Sequence, residues 1–399
     1  MNPEERVWAA LNHQQPDRIP IYEAQIEVEE FLRGKSPLTI RPGIAFLSYD
    51  ALKILTNPAL APMLPLAFKL LKKPQILHPF LKPSVLQTTA VHRELNIDLM
   101  SFVGGLPMIF NPRVFTDFKV KGNSVVSPRG DIVSTVSDQK DGAATRNGFL
   151  NGPEDYNFYM KFRPNHPANF AILDEALEAS KGKIALAMSV FGSAYFESMC
   201  ELFGFKRLFR FLIKDTKFVQ KVVKDLFNYS YTVTERMLEK GVRLFYMSDD
   251  LGQKDRGLIS PRMYKTFFHE PIRKYVSLVH SYGGKIIRHS CGNFNDFIPF
   301  FLEEKIDAVH PWQSTAGMDI FKGKEKYGKK IALIGNMPIE LLRSGTHHEV
   351  IQYAKKLAEK CGVGGGYIFS SSHSLVRPCK WDNYWAARWA IKKYGTYPI

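Results

Sequence analysis

A repeating unit of strand, turn and helix dominates the sequence from residue 184 onward. Each unit opens with a short apolar run rich in β-branched residues, passes through a polar or glycine-containing turn, and ends in a helical pattern of apolar residues. Six such runs follow one another, over residues 184–190, 243–251, 285–291, 307–313, 331–336 and 366–373. This alternation is typical of a parallel sheet whose strands are joined by helices.

Two further strands are predicted upstream, over residues 18–23 and 97–102, which brings the total to eight. Eight parallel strands with intervening helices close most naturally into an α/β (β/α)₈ TIM barrel. A doubly wound sheet would usually carry an early glycine-rich phosphate loop, but the glycine-rich stretch 362–366 precedes a strand instead of following one. The sequence therefore predicts one TIM-barrel domain over residues 1–399.

Two segments do not follow the repeat. Residues 52–86 are apolar and broken by prolines, which fits an inserted lid better than a strand or a regular barrel helix. Residues 105–165 are rich in turn formers and predict an excursion with hairpin strands around 118–126 and 131–136. We expect both segments to be insertions into the barrel.

Local signals place several helix ends. Ser260-Pro261 supplies a cap and a proline at the first helical position, and Pro271 is expected to kink the helix that follows. Thr346 and Glu349 have the spacing of a capping box and predict another helix start.

Composition and charge narrow the class of protein. The hydrophobic fraction of 45% fits a folded globular chain. Four irregularly spaced cysteines and the lack of a secretory leader pattern predict a reduced, cytoplasmic setting. The most apolar run, residues 60–68, is far shorter than the roughly 20 residues of a membrane span.

The formal net charge of +15 predicts attraction to an acidic substrate, surface or partner. Because the cations are dispersed along the chain, nucleic acid is the weakest of these options. The sequence leaves open whether the protein forms a homo-oligomer.

Polar and ionisable side chains gather at the C-terminal ends of the predicted strands, where barrel enzymes place their reactive groups. These residues are Tyr22, Glu23, Asp249, Asp250, His289, Cys291, Gln313, Asn336 and His373. Two adjacent carboxylates that close an apolar strand are unusual, so Asp249 and Asp250 are predicted to orient substrate or support a metal rather than to enter a helix.

His289 and Cys291 lie two residues apart on one predicted strand, so their side chains project from the same face and can share a metal ion. An imidazole and a thiolate suit zinc. The pair alone is also typical of a buried histidine beside a core cysteine, but its position at a strand end, before Gly292, favours a metal. His373, at the end of the last strand, is the predicted third ligand.

Two residues near strand ends have a structural alternative. Phe191 either walls a pocket for a flat organic substrate or packs in the core. His310 is flanked by Pro311 and Trp312, which predicts packing in the core rather than metal ligation.

Several sequence motifs, taken together, are similar to the motifs of one protein family. They are Glu5-Arg6-Val7, Pro16-Asp17-Arg18-Ile19-Pro20, Ser248-Asp249-Asp250-Leu251-Gly252, Ser260-Pro261, His289-Ser290-Cys291-Gly292-Asn293, Gln313 with Ala316-Gly317-Met318-Asp319, Gly364-Gly365-Gly366-Tyr367-Ile368, Ser372-His373-Ser374 and the terminal Tyr394-Gly395-Thr396-Tyr397-Pro398-Ile399. On these residues, nearly the whole chain resembles the uroporphyrinogen decarboxylase superfamily in its corrinoid-dependent methyltransferase branch.

The resemblance implies a barrel that binds zinc through His289 and Cys291 and moves a methyl group between a small molecule and the cobalt of a separate corrinoid protein. In the coenzyme M methyltransferases of that family the third ligand is a second cysteine, and the matching position here is His373. This departure favours the sub-branch resembling methoxy-compound demethylases, in which zinc acts as a Lewis acid on the leaving oxygen. The substrate pocket is then expected to include Tyr22, Glu23, Phe191, Gln313 and Asn336.

Two alternatives remain open. One is cofactor-free decarboxylation of an acidic tetrapyrrole, which the net charge would suit and which metal independence would reveal. However, true uroporphyrinogen decarboxylases carry an arginine-rich N-terminal motif and a Ser-Asp pair after the second strand, and residues 97–102 end without a carboxylate. The other is a non-catalytic module that binds a corrinoid or a metal without turnover.

Overall fold

A curled parallel sheet forms the centre of the protein. The computed structural model describes residues 1–24, 86, 89–104, 119–121, 124–126, 132–135, 148–160, 170, 173–190, 193–375 and 378–399. Seven strands pair in chain order within these ranges. They are β1 (Leu99–Gly104), β5 (Ala185–Val190), β6 (Leu244–Ser248), β7 (Lys285–His289), β8 (Ala308–His310), β9 (Ala332–Ile334) and β10 (Tyr367–Ile368).

The segment Ile21 and Tyr22 connects the two edges of this sheet. Ile21 forms a parallel bridge to Phe369, just beyond β10, and Tyr22 forms one to Leu99 at the start of β1. The Tyr22 amide donates to the Phe369 carbonyl at 2.9 Å, and the Leu99 amide donates to the Ile21 carbonyl at 3.2 Å. The fold is therefore α/β and TIM-barrel-like, and the strand predicted over residues 18–23 contributes two parallel bridges, one from Ile21 and one from Tyr22.

All six strands predicted from residue 184 onward are present, but each is shorter than the run that predicted it. The run 307–313, for example, contains a strand of three residues, Ala308–His310. Most of the difference lies at the C-terminal ends, where the chain leaves the sheet and its polar residues enter loops.

Helices cover the outside of the sheet and follow most of its strands. Across the described residues, every helix falls short of the length and apolar content that a bilayer crossing requires. Their bounds are α1 (Pro3–Leu11), α2 (Pro153–Tyr159), α3 (Leu173–Ser180), α4 (Tyr195–Lys214), α5 (Thr216–Glu239), α6 (Pro261–Tyr264), α7 (Glu270–Ser281), α8 (Ile298–Glu303), α9 (Ile320–Tyr327), α10 (Ile339–Ser344), α11 (His347–Leu357) and α12 (Trp381–Tyr394).

The predicted helix signals act locally as expected. The Ser260 hydroxyl accepts a hydrogen bond from the Met263 amide at the start of α6, and Thr346 and Glu349 form both halves of a capping box at the start of α11. Pro271 cannot donate a backbone hydrogen bond, and the turn Lys265–His269 just before α7 is a π-helix rather than an α-helix. A π turn therefore precedes Pro271, and the kink at that residue stays a prediction.

A small antiparallel sheet lies in the predicted excursion. Its strands are β2 (Lys119–Lys121), β3 (Ser124–Val126) and β4 (Ile132–Thr135). The single strand predicted over 118–126 is wrong, because β2 and β3 are two strands paired through Lys121 and Ser124. The intervening sequence Gly-Asn is a hairpin signal that the prediction overlooked.

Other predictions fall on residues that the structure does not describe. They are the lid at 52–86 except for Leu86, most of the excursion at 105–165, and Phe191. The lid and the single-domain organisation over residues 1–399 stay predictions.

Two buried apolar layers hold the sheet. The inner layer includes Tyr22 and Tyr246, whose ring centroids are 5.9 Å apart, together with small alanines such as Ala185 and Ala308. Helix α1 contributes Val7, Ala10 and Leu11 to the same cluster as the first residues of β1, β5 and β6, so it lies at the end of the sheet where the strands begin. The larger outer layer packs the helices on the other face.

Asp98 ties the N-terminal segment to β1. This carboxylate is 1% exposed and accepts hydrogen bonds from Arg6 at 2.6 Å, from Arg18 at 2.8 and 2.9 Å, and from the Ile21 amide at 2.9 Å. Arg6 also pairs with Asp17 at 2.6 Å. Charge-assisted bonds of this kind are strong and directional, so they hold residues 18–22 beside β1.

Replacing Asp98 with asparagine is expected to lower the free energy of unfolding by about 3–5 kcal/mol, because Arg18 then loses its carboxylate partner and Arg6 keeps only the exposed Asp17. Urea denaturation followed by circular dichroism measures the loss. The matched control is Asp174→Asn, whose carboxylate pairs with Lys240 but is 73% exposed, and no resolvable change is expected there. Equal stability of the Asp98 variant and the wild type would contradict this role.

Candidate active site

Three side chains that can bind a metal meet at the C-terminal ends of β6 and β7. They are Asp250, His289 and Cys291, whose ligand atoms all lie within 4.8 Å of one another. The Cys291 Sγ is 3.4 Å from the His289 Nε2, and an Asp250 carboxylate oxygen is also 3.4 Å from that nitrogen. Within the described part of the chain, no other group of this kind occurs.

The geometry and the chemistry of this group fit zinc. Tetrahedral zinc with usual bond lengths to nitrogen, oxygen and sulfur brings its donor atoms to about 3.3–3.8 Å from one another. Both measured separations from His289 Nε2 equal 3.4 Å. An imidazole, a thiolate and a carboxylate leave a fourth position open, as catalytic zinc sites do.

The loops that carry the group touch through their backbones. Gly292 has φ +76°, and a Cβ added there would lie 2.3 Å from the carbonyl carbon of Gly252. A Cβ on Gly252 would lie 2.5 Å from the Asn293 nitrogen. Only glycine fits at both positions, so the backbones of the loop after β6 and the loop after β7 are in direct contact.

Hydrogen bonds between the two loops position the side chains of Asp250 and Cys291. The Cys291 amide donates to the Asp250 carboxylate at 2.9 Å, and the Leu251 amide donates to the Ser290 hydroxyl at 2.9 Å. Ser290 therefore has a bracing role that the sequence did not reveal. These contacts fix the relative position of Asp250 and Cys291.

The group is electrostatically suited to a cation. Burial by itself lowers the pKa of His289, but the neighbouring Cys291 and Asp250 more than offset this and raise it to about 10. The same two groups would attract a metal ion into the site, and metal binding then requires a neutral imidazole.

His310 is buried, as predicted, but it also contacts the site. Its Nδ1 lies 2.7 Å from the Nδ1 of His289. The hydroxyls of Tyr246 and Ser370 lie 3.2 and 3.3 Å from its two ring nitrogens. The available signal was that neighbouring strands both end in histidine, since His289 and His310 are register partners.

The two adjacent aspartates face opposite ways, because successive side chains alternate about an extended chain. Asp249 is fully buried, pairs with Arg288 at 3.0 Å, and accepts from the Glu197 amide at 2.8 Å. Glu197 lies in the first turn of α4, whose own N-cap residue offers no side-chain bond. Asp249, just after β6, thus caps that helix, and Asp250 lies in the ligand group.

Arg288 is a buried cation that the sequence reading missed. Its guanidinium carbon lies 5.5 Å from the centre of the Phe301 ring, and its side chain is 0% exposed. The positive charge of Arg288 counteracts the effect of burial on nearby Glu304, whose pKa still rises to about 7. The sequence signal for this buried cation was a charged residue inside an otherwise apolar strand.

Tyr22 and Glu23 are both buried beside the sheet interior. The Tyr22 hydroxyl donates to Ser101 at 2.9 Å. Glu23 accepts from the Ser371 amide at 3.1 Å and from the Ser371 hydroxyl, and burial raises its pKa to about 7. Their predicted contact with substrate stays a prediction.

The side chains of Gln313 and Asn336 form hydrogen bonds with other residues of the protein. The Gln313 carbonyl oxygen accepts from the Gly292 amide at 2.9 Å, which holds the loop that carries Cys291. The Asn336 amide group donates to the Trp312 carbonyl at 2.7 Å and accepts from the Tyr353 hydroxyl at 3.3 Å. Their predicted role in substrate binding also stays a prediction.

His373 is half-buried after β10 and is not part of the ligand group. Asp250 takes the third place in that group instead. Ligation by His373 therefore stays a prediction, and the structure supplies a different candidate for the third ligand.

Comparisons with known proteins place the chain in a family. Residues 132–394 match the uroporphyrinogen decarboxylase (URO-D) family, and the protein belongs to it. A methyltransferase from Methanosarcina mazei shares the fold, with a TM-score of 0.64, 16% sequence identity, and coverage of 99% of this chain and 99% of that chain.

A β-mannanase from the blue mussel Mytilus edulis is more remote, with a TM-score of 0.37 and 9% identity over 79% of this chain and 85% of that one. A search of curated protein sequences finds no match. The resemblance to the superfamily is thus confirmed by the family match and by the shared fold.

The two aspartates are expected to respond differently to the same substitution. Asp249→Asn should lower the free energy of unfolding by about 3–5 kcal/mol because it leaves Arg288 buried without a counter-charge. Asp250→Asn changes a side chain that is 36% exposed, so it should affect zinc content instead of stability. Urea denaturation in the presence of chelator and elemental analysis measure the two effects, and equal destabilisation by both variants would contradict the assignment.

Proposed function

We propose that this protein is a zinc-dependent methyltransferase that moves a methyl group from a small methoxylated or otherwise methylated donor to the cobalt of a separate corrinoid protein. The observation that carries the proposal is the group of Asp250, His289 and Cys291 at the end of the sheet where barrel enzymes place their reactive groups. The family membership and the fold shared with a methyltransferase along 99% of the chain support it.

In this proposal, His289 and Cys291 hold zinc, and Asp250 supplies the third ligand from the loop after β6. His373 is the alternative third ligand. Zinc supplies Lewis acidity toward the heteroatom of the methyl donor. This is the chemistry of an O-demethylase, in which the bond between methyl carbon and oxygen must break.

The protein's own residues set the geometry of the site. Gln313 and Ser290 fix the backbone around Cys291, so the thiolate is held in place before a donor binds. The glycine contact at Gly252 and Gly292 keeps Asp250 and Cys291 on adjoining loops. A preorganised site of this kind aligns the donor with an attacking group from a docked partner.

The net charge of +15 supports an acidic partner, because opposite charges accelerate docking over long distances. The corrinoid protein would approach the ends of the strands, where the ligand group lies.

Decarboxylation of an acidic tetrapyrrole is the second candidate, and the URO-D family match favours it. The ligand group distinguishes the two functions, since the decarboxylation would proceed without a metal. Turnover of a porphyrinogen by chelator-treated protein would favour this candidate.

We expect the purified protein to bind about one zinc ion per chain, because the donor set is soft and prefers tetrahedral coordination. Cys291→Ser should lose most of the metal, whereas Cys379→Ser, which alters a half-buried cysteine outside the ligand group, should retain it. Parallel Asp250→Ala and His373→Ala variants identify the third ligand by zinc content. Full metal retention in Cys291→Ser would end the zinc proposal.

Incubation with methoxylated donors and a reduced corrinoid protein should produce methyl cobalt, which is followed by its absorption spectrum. Added salt should slow the transfer, because ions screen the attraction between a basic enzyme and an acidic partner. Cys291→Ser should abolish the spectral change. Demethylation at the same rate without a corrinoid protein would rule out the proposed reaction.

A further inference from the structure

We propose that His310 is a positioning residue of the metal site: it accepts a hydrogen bond from the Nδ1 of His289 and thereby presents the Nε2 of His289 to the metal. The inference rests on the proposed function in one respect, that the group of Asp250, His289 and Cys291 binds zinc. It adds a residue outside that group which decides which imidazole nitrogen is the ligand.

The two nitrogens of His289 face different surroundings. Its Nε2 lies 3.4 Å from both the Cys291 sulfur and an Asp250 oxygen, on the side of the ligand group. Its Nδ1 lies 2.7 Å from the Nδ1 of His310, on the side of the sheet interior. A metal bound between Cys291 and Asp250 would therefore contact the Nε2 of His289. The Nδ1 of His289 would remain hydrogen-bonded to His310.

The number of ring protons on neutral His289 and His310 determines which residue donates in each hydrogen bond. A neutral His289 that ligates through Nε2 carries its proton on Nδ1 and must donate it. His310 then accepts through Nδ1 and carries its own proton on Nε2, which lies 3.3 Å from the Ser370 hydroxyl. The Ser370 hydroxyl in turn donates to the Ser371 carbonyl at 3.2 Å. Each contact in this chain holds one hydrogen, so the arrangement is self-consistent.

The packing around His310 keeps the acceptor in place. His310 is 2% exposed, and its ring lies edge-on to Tyr22 with centroids 5.2 Å apart. Its carbonyl accepts from the Ser290 amide at 3.1 Å, which joins the end of β8 to the metal-binding loop. The Tyr246 hydroxyl also approaches the same His310 nitrogen, but at 3.2 Å it is more distant than His289.

The experiment compares two variants of similar size, His310→Leu and His310→Gln. Leucine cannot accept a hydrogen bond, and loss of an outer partner typically lowers metal affinity about 10- to 100-fold. The glutamine carbonyl can accept from His289, so this variant should bind zinc about fivefold more tightly than the leucine variant, the value of one neutral hydrogen bond. Tyr246→Phe removes the longer contact to His310 and should change the affinity by less than about threefold.

Zinc affinity is measured by competition with a chromophoric chelator, with thermal melting of each metal-free variant as the control for folding. Equal zinc affinity of the leucine variant and the wild type would overturn the inference while leaving the zinc site intact. Failure of the wild type to bind zinc would instead overturn the proposed function. The two failures are therefore distinguishable.

A second measurement needs no substitution, and it remains available if a His310 variant does not fold. Histidine-selective nitrogen labelling and NMR of the zinc-loaded wild type report which ring nitrogen of each histidine carries a proton. We expect protonation at Nδ1 of His289 and at Nε2 of His310. A proton on Nδ1 of His310 would overturn the inference, because that nitrogen could not then accept from His289.

Discussion

The parallel register of β6, β7 and β8 is the constraint on which the site depends. Ser248 pairs with His289, and His289 pairs with His310, so three neighbouring strands end at one level. The loops that follow β6 and β7 then meet through Gly252 and Gly292, and no side chain separates them. A slip of one residue in any of these strands would turn its terminal side chains to the opposite face and dismantle the ligand group.

Asp249 and Asp250 show how one chain segment serves structure and chemistry at once. Asp249 caps a helix and neutralises Arg288 on the outer face of the sheet, while Asp250 faces the ligand group. A buried ion pair is costly to form and costly to break. The Asp249 pairing therefore anchors the residue next to Asp250, and the position of the candidate metal-binding carboxylate depends on a contact on the outer face of the sheet.

The site combines negative ligands with a chain that is strongly basic overall. Cys291 and Asp250 make the immediate surroundings of His289 attractive to a cation, whereas the net charge acts at longer range on acidic partners. These are separate effects at different distances. A methyltransferase that holds zinc and meets an acidic corrinoid protein would use both, which is why the proposed function accounts for features that otherwise have no connection.

The amino-acid sequence alone predicts the alternation of strands and helices, the proximity of His289 and Cys291, and the helix starts at Ser260 and Thr346, because these depend on local periodicity and spacing. The tertiary structure adds that Asp250 lies beside His289 and Cys291, and that His310 contacts His289. These depend on strand register and on the curl of the sheet, which bring together residues far apart in the chain. Local sequence patterns do not show which of these distant residues come into contact.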